Sequence, residues 1–310
     1  MPTFAPAGLY GKIPSHGDFV RLRAADEPAR SLVRWLEEGS EAAKRGGAGA
    51  SGEPVRFVFR PPGAALSLLG VVAGSVDRVG RSFPLAVFAP VGGSELTATF
   101  PALASAAQPF LEASAALMAE AAHLAPSDLA ARVEALPCLE PADLAVADAD
   151  ARRGASRESG RELLARLLGD SGDQQAYALQ CVRSACQPLR GREGGGRGVV
   201  LACPARCGAD RWFWLELARR LLRWPGPPSF FWRAAMAPEL FLSTGALSPS
   251  MFADLWRAEA KDPRIWPLTT TQASAATAAR RALGEAVLDV LQGRDRSVAD
   301  LLDALDARTE

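Results

Sequence analysis

Lys12, Asp18, Asp77, Arg78 and Arg81 are the residues of this sequence whose types and spacing could do chemistry. They fall in two short segments, Gly8-Leu9-Tyr10-Gly11-Lys12-Ile13-Pro14-Ser15-His16-Gly17-Asp18-Phe19-Val20 and Ser75-Val76-Asp77-Arg78-Val79-Gly80-Arg81-Ser82-Phe83-Pro84-Leu85. A lysine, two carboxylates and an arginine (Lys12, Asp18, Asp77 and Arg81) are a set that an enzyme acting on phosphate esters could use, because cations clamp the phosphoryl oxygens. The surrounding sequence argues against that use. A Walker loop requires Gly-x-x-x-x-Gly-Lys-Ser/Thr ahead of a helix, whereas Lys12 runs into Ile13-Pro14. No nucleophile or base completes an Asp/Arg pair, and His16 and His123 stand in unrelated contexts with no Ser–His–Asp arrangement. No catalytic residue and no cofactor is therefore expected. Arginine suits bidentate carboxylate pairing, so Asp77, Arg78 and Arg81 are expected to pair with Asp18 and Lys12 where the two segments meet. Folded-in ion pairs are favoured over an exposed binding surface. Gly11 and Gly17 are read as permitting a tight turn that Asp18 caps or ties to an arginine.

The five cysteines, Cys138, Cys181, Cys186, Cys203 and Cys207, suggest no metal site. Cys181 and Cys186 are five residues apart on an expected helix, off one another's face, and no nearby histidine completes a zinc set with Cys203 and Cys207. They read as small buried hydrophobes of a reducing compartment. The Gly-rich run 191–198 precedes its strand, so it lacks the context of a dinucleotide loop and reads as a flexible connection.

The elements that position these residues can be read from periodicity. A strand at 7–14 enters the first segment; Pro28, Leu32, Val33, Trp35 and Leu36 have helical spacing, ending at Gly39 or at the Gly-rich loop 46–52. Strands follow over 55–60, 66–76 and 83–91, the last two joined by a hairpin with Gly80 where a positive φ is needed. Helices are expected over 100–124 and 127–136, the second capped by Ser127. The Asp-, Ala- and Arg-rich stretch 147–159 lacks apolar periodicity and reads as a linker between residues 1–146 and a second unit, 160–268. That unit alternates helices (160–168, 174–189, 210–224, 249–256) with strands (199–203, 230–234, 240–243), and helices over 272–292 and 297–307 close residues 269–310. The class is α/β with α+β layering: an antiparallel sheet flanked by helices, then a smaller α/β unit and C-terminal helices. The rings of Trp212-Phe213-Trp214 and Phe230-Phe231-Trp232 are expected mostly in the core; one or two exposed ones would be good anchors for a partner.

The 310 residues carry 35 basic and 35 acidic side chains, without the basic excess that binding to phosphate backbones requires. Hydrophobic content is 48% and no run of about 18 apolar residues suggests a membrane span. No secretory signal is read at the N-terminus, so the expected compartment is the cytoplasm.

With both segments in view, the sequence resembles the TagF (ImpM) family of type VI secretion accessory proteins. Its signatures, G-[FY]-x-G-K-[LI]-P-x-x-G-D-F-[VI] and S-x-D-x-x-G-R-x-[FY]-P-L, are matched almost completely by the two segments, in order. The resemblance is firm over about the first ninety to one hundred and forty residues and looser beyond. It implies a post-translational repressor of type VI secretion that binds and sequesters a forkhead-associated scaffold protein, with a structural adaptor or chaperone as the other reading. It also implies a longin- or profilin-like layering of the first unit. The residues placed at such a partner site, or scaffolding it, are Gly11, Lys12, Gly17, Asp18, Phe19, Asp77, Arg78, Gly80, Arg81, Phe83 and Pro84.

Overall fold

A computed structural model describes residues 3–47, 53–193, 198–233, 239–257, 260–270, 273–292 and 296–307. Among these residues ten strands form one mixed sheet. In chain order they are β1 (Thr3–Phe4), β2 (Gly8–Gly11), β3 (Val20–Leu22), β4 (Val55–Phe59), β5 (Leu66–Ala73), β6 (Leu85–Gly92), β7 (Val200–Pro204), β8 (Phe230–Trp232), β9 (Glu239–Ser243) and β10 (Ile265–Pro267). Across the sheet the order is β10-β7-β9-β8-β4-β5-β6-β2-β3, with β1 alongside β6. Every pairing is antiparallel except β10 on β7. The class is mixed α/β, as the alternation of helical and strand periods predicts.

The sheet runs through from the first sequence unit into the second. Arg56, Phe57 and Val58 of β4 pair with Trp232, Phe231 and Phe230 of β8. Strand β5, central and buried along most of its length, reads as the near-continuous apolar run that burial on both faces requires. On β4, Val55, Phe57 and Phe59 face one layer while Val58 faces the other.

One face is covered by helix α1 (Glu27–Arg45) and the 3-10 segment Pro249–Trp256. Asp26 caps α1, accepting from the Ala29 N–H at 2.9 Å, and Pro28 sits in the first turn, where an N–H is dispensable. Leu32, Trp35, Leu36, Gly39 and Ala43 form its buried stripe. The helix continues through Gly39, which lies against the 3-10 segment: a Cβ there would lie 2.6 Å from Cβ of Phe252. The other face carries α2 (Gln108–Glu120), α3 (Pro126–Glu134), α4 (Pro141–Arg157), α5 (Gly160–Leu168), α6 (Gly172–Cys186), α7 (Gly208–Leu222), α8 (Ala273–Leu283), α9 (Glu285–Gln292) and α10 (Val298–Asp306).

Several local expectations need correcting. The stretch 147–159, read as a linker, is mostly the body of α4, which starts at a Glu140/Asp143 capping box and buries Leu144 and Ala155. Its alanines supply helix propensity without an apolar stripe, so periodicity alone misses it. Residues 100–124 break into short turns before α2 because Pro101 and Pro109 each open a new first turn. Pro126, not Ser127, opens α3, and Ala125 occupies the cap. The helix over 272–292 divides at Gly284. Of the expected strand 230–234, residue 234 lies outside the described residues, as do residues 48–52 and 194–197 of the two Gly-rich stretches.

Candidate partner-binding site

The two sequence segments meet at one end of β2, β5 and β6. Strand β2 pairs with β6 up to Gly11 opposite Leu85. Gly11 holds φ +145°, and a Cβ on it would lie 2.2 Å from the Pro84 carbonyl oxygen. Only a glycine lets the two backbones approach this closely. The next residue, Lys12, turns inward and is 7% exposed. The chain then loops outward, closed by the His16 N–H donating to the Ile13 carbonyl at 3.1 Å and the Ser15 hydroxyl donating to the Leu124 carbonyl at 2.6 Å.

The β5–β6 connection is a hairpin tip tightened at its neck, where Val76 and Ser82 form an isolated antiparallel bridge. Within it, the Asp77 N–H donates to Arg81 O at 3.1 Å and the Gly80 N–H to Asp77 O at 2.9 Å. Gly80 has the expected positive φ, +84°. The two loops are stitched together: the Arg78 N–H donates to His16 O at 3.0 Å, and Arg81 Nη2 donates to Gly17 O.

Asp77 is the hub. Its Oδ1 accepts the N–H groups of Val79 and Arg81 at 3.0 and 2.8 Å; its Oδ2 accepts Lys12 Nζ and Arg81 Nε, each at 2.7 Å. Burial works against the ionised carboxylate, but the donors from Lys12, Arg81 and Val79 outweigh it and hold Asp77 well below the usual carboxylate range. Both carboxylate oxygens are therefore occupied, and the Lys12 amine is spent on the same partner. Beside this brace, Tyr10 stacks on Phe19 with centroids 5.3 Å apart, and Phe83 meets Phe19 edge-on at 4.8 Å. Lys12 Nζ lies 5.2 Å from the Phe19 centroid, and the Tyr10 hydroxyl donates to Glu37 at 2.6 Å. Burial, then the Glu37 carboxylate, pushes the Tyr10 phenol up.

Geometry thus divides the sequence-predicted residues. Gly11, Lys12, Asp77, Phe83 and Pro84 are buried; Gly17 and Phe19 are half-buried; Asp18, Arg78, Gly80 and Arg81 are exposed. The expected pairing of Lys12, Asp77 and Arg81 is present. Asp18 and Arg78 stand outside it, and among the described residues no ion pair reaches either. Asp18 does not cap the turn, because the turn closes through backbone groups at Ile13 and His16. The hairpin tip instead presents Val76 and Val79, 43% and 66% exposed. Next to it lies a cleft of about 520 Å³ whose floor includes Pro14, Phe83 and Pro84, with Lys44, Met118 and Phe252 on its walls. Sequence reading misses those wall residues because they come from three remote segments with no shared pattern.

The aromatic clusters offer no anchor. Trp212, Phe213, Trp214, Phe230, Phe231 and Trp232 are all buried, at most 4% exposed, in line with the reading of these rings as mostly core, and none of them is left exposed to anchor a partner. Cys186 and Cys203 are buried and Cys138 and Cys207 exposed; burial pushes the Cys186 thiol up to about 12. Among the described residues, no group of three or more His, Cys, Asp or Glu is placed to hold a metal ion. None of their helices is long and apolar enough to cross a membrane.

Residues 8–136 match the model of the TagF N-terminal domain family, described as type VI secretion system-associated. No curated protein matches the chain. Among solved structures, the crystal structure of PA0076 from Pseudomonas aeruginosa PAO1 at 2.05 Å resolution is similar, with a TM-score of 0.49 and 19% identity, covering 84% of this chain and 98% of that one.

Proposed function

We propose, from the premise that residues 8–136 belong to the TagF N-terminal domain family associated with type VI secretion, that this chain is a post-translational repressor of that secretion. It acts in the cytoplasm by binding and sequestering a forkhead-associated scaffold protein. The observation that supports this reading is the way the motif charges are used. Lys12 and Asp77 satisfy one another inside the fold, and Arg81 clamps the two loops together. The brace leaves Val76, Arg78 and Val79 exposed on a tip whose conformation is already fixed. A surface ordered before binding loses less conformational freedom when a partner docks. An apolar pair rimmed by arginine, beside a cleft, has the composition of a small protein-binding patch.

The test is direct. Calorimetry of the purified chain with a forkhead-associated protein of a type VI secretion system from the same genome should show a stable complex. Val79→Asp should weaken that complex at least tenfold while leaving the thermal midpoint unchanged, because the side chain touches solvent. Deleting the gene should raise secretion, and the Val79→Asp variant should fail to restore restraint. No complex, together with unchanged secretion on deletion, would end this reading. Recovery of a different secretion component in its place would favour an adaptor role.

A further inference from the structure

We infer that a second, separate site binds a phosphate-sized oxyanion in a polar cavity where β4 meets the start of α7, held by Arg56, Arg206 and Arg211. The cavity measures about 210 Å³ and is also lined by Gln108, Glu112 and Cys207. It is smaller than the roughly 300–1,000 Å³ of sites for drug-sized ligands, so it suits a tetrahedral anion with at most a short ester substituent.

Charge bookkeeping carries the case. Three guanidiniums line the cavity, and among the described residues none of them makes an ion pair or a side-chain hydrogen bond. Arg211 Nε is buried with no partner at all. A buried donor left unsatisfied is costly, and native structures seldom leave one without a ligand or water to fill it. The nearest carboxylate in sequence, Asp210, is already committed. Its Oδ1 accepts Arg166 Nε and Nη2 at 3.1 and 2.8 Å, and its Oδ2 accepts the backbone N–H groups of Arg206 and Cys207 at 2.7 and 3.2 Å. Glu112 is the one acidic side chain on the wall, and it accepts from Gln108 Nε2 at 2.8 Å. Three positive charges against one negative leave the cavity with an excess of two. Burial weakens the hold of Arg211 on its proton; the neighbouring Arg56 charge adds to this, while Cys207 and Asp210 oppose it. An incoming dianion would relieve that repulsion. The positive end of α7, a helix of 15 residues, points the same way.

The position matters as much as the charge. Arg56, Gln108 and Glu112 come from within residues 8–136, whereas Arg206 and Arg211 come from beyond them. A bound oxyanion would tie the two parts of the chain across the sheet seam. This proposal is independent of the partner-binding reading, which uses the hairpin tip between β5 and β6 and none of the residues that line this cavity.

Isothermal calorimetry and thermal unfolding of the full chain, with inorganic phosphate and glycerol phosphate at matched ionic strength, test it. Phosphate should bind saturably with a stoichiometry of one and raise the thermal midpoint, while chloride at equal ionic strength should do neither. Arg56→Gln and Arg206→Gln should each weaken binding at least tenfold; Arg206 is exposed, so its variant should fold normally. Arg30→Gln, on the distant surface of α1, should bind like the parent. Tighter binding of glycerol phosphate than of phosphate would identify a phosphomonoester as the ligand, and equal binding the free anion. Absence of saturable phosphate binding by the parent, or binding indifferent to Arg56→Gln and Arg206→Gln, would overturn the site.

Discussion

Replacing Gly11 with alanine tests whether the motif glycine is there for backbone proximity or only for turn flexibility. Gly11 combines φ +145° with a Cβ position 2.2 Å from Pro84 O and 2.7 Å from Leu85 Cα. Both obstacles are backbone atoms at the start of β6, so no side chain can rotate aside. Holding a non-glycine residue at such a φ costs about 1–3 kcal/mol. Forcing extra volume into packed surroundings costs about 1–3 kcal/mol more. The two together give about 2–6 kcal/mol, a large share of the roughly 5–15 kcal/mol by which native proteins are stable. Gly80→Ala is the matched control: its φ is also positive, +84°, but no atom lies within 4 Å of the added carbon. It should cost only the left-handed backbone penalty of about 1–2 kcal/mol. Urea unfolding followed by tryptophan fluorescence reads both, and the Gly11 variant should lose clearly more. Equal midpoints for the two variants, or a Gly11 loss below about 1 kcal/mol, would refute the close-approach argument.

Three further outcomes are expected. Asp77→Asn should lower the thermal midpoint near neutral pH, because Lys12 would remain buried without its anion. The folded Asp77 carboxyl lies below its unfolded value, so its contribution is complete above about pH 4 and fades as pH falls further. The gap between parent and variant should accordingly stay level from about pH 5 to 8 and close in acid, and a gap that widened there would contradict the assignment. Phe231→Ala removes a fully buried ring 5.4 Å from Trp35 and 6.2 Å from Phe57, and should cost about 3–5 kcal/mol in a denaturant titration. Residues 1–146 expressed alone should self-associate or precipitate, since β4 would become an uncovered edge; a stable monomer by light scattering would disprove this.

How much of this was legible in the sequence depended on the range of the signal. Strands β5 and β6 and the Gly80 turn show in local pattern, since an apolar run, a glycine and a second run suffice to specify a hairpin. The Lys12–Asp77 pair was legible in kind, because opposite charges in two glycine-marked segments have few other uses. The exclusion of Asp18 from the network was not legible. It depends on which way a loop of five residues leaves Ile13, and that is set by bonds to Leu124 and Arg78 far along the chain. Helix α4 hid behind its composition, with alanine carrying propensity where an apolar stripe was sought. The cleft beside the tip draws on segments from Pro14 to Phe252 and the arginine cavity on segments from Arg56 to Trp232, separations at which spacing conveys nothing.

The joined sheet bears on the candidate site itself. Phe252, from the 3-10 segment after β9, forms part of the cleft wall and packs edge-on against Trp35 at 5.5 Å. Trp35 in turn stacks on Phe231 of β8, which pairs with Phe57 of β4. Tyr10, at the foot of the motif, belongs to this same apolar cluster, together with Phe241 and Ile265. The segment that carries the motifs therefore borrows both an edge and a wall from the rest of the chain. Packing of this density transmits displacement poorly by degrees, since a displaced ring must either find another well-packed place or leave a void. Loosening β8 from β4 should accordingly reshape the cleft as well as weaken the fold. Binding at the hairpin tip should respond to Phe231→Ala although that ring never reaches the surface, whereas a site built by residues 8–136 alone would bind unchanged.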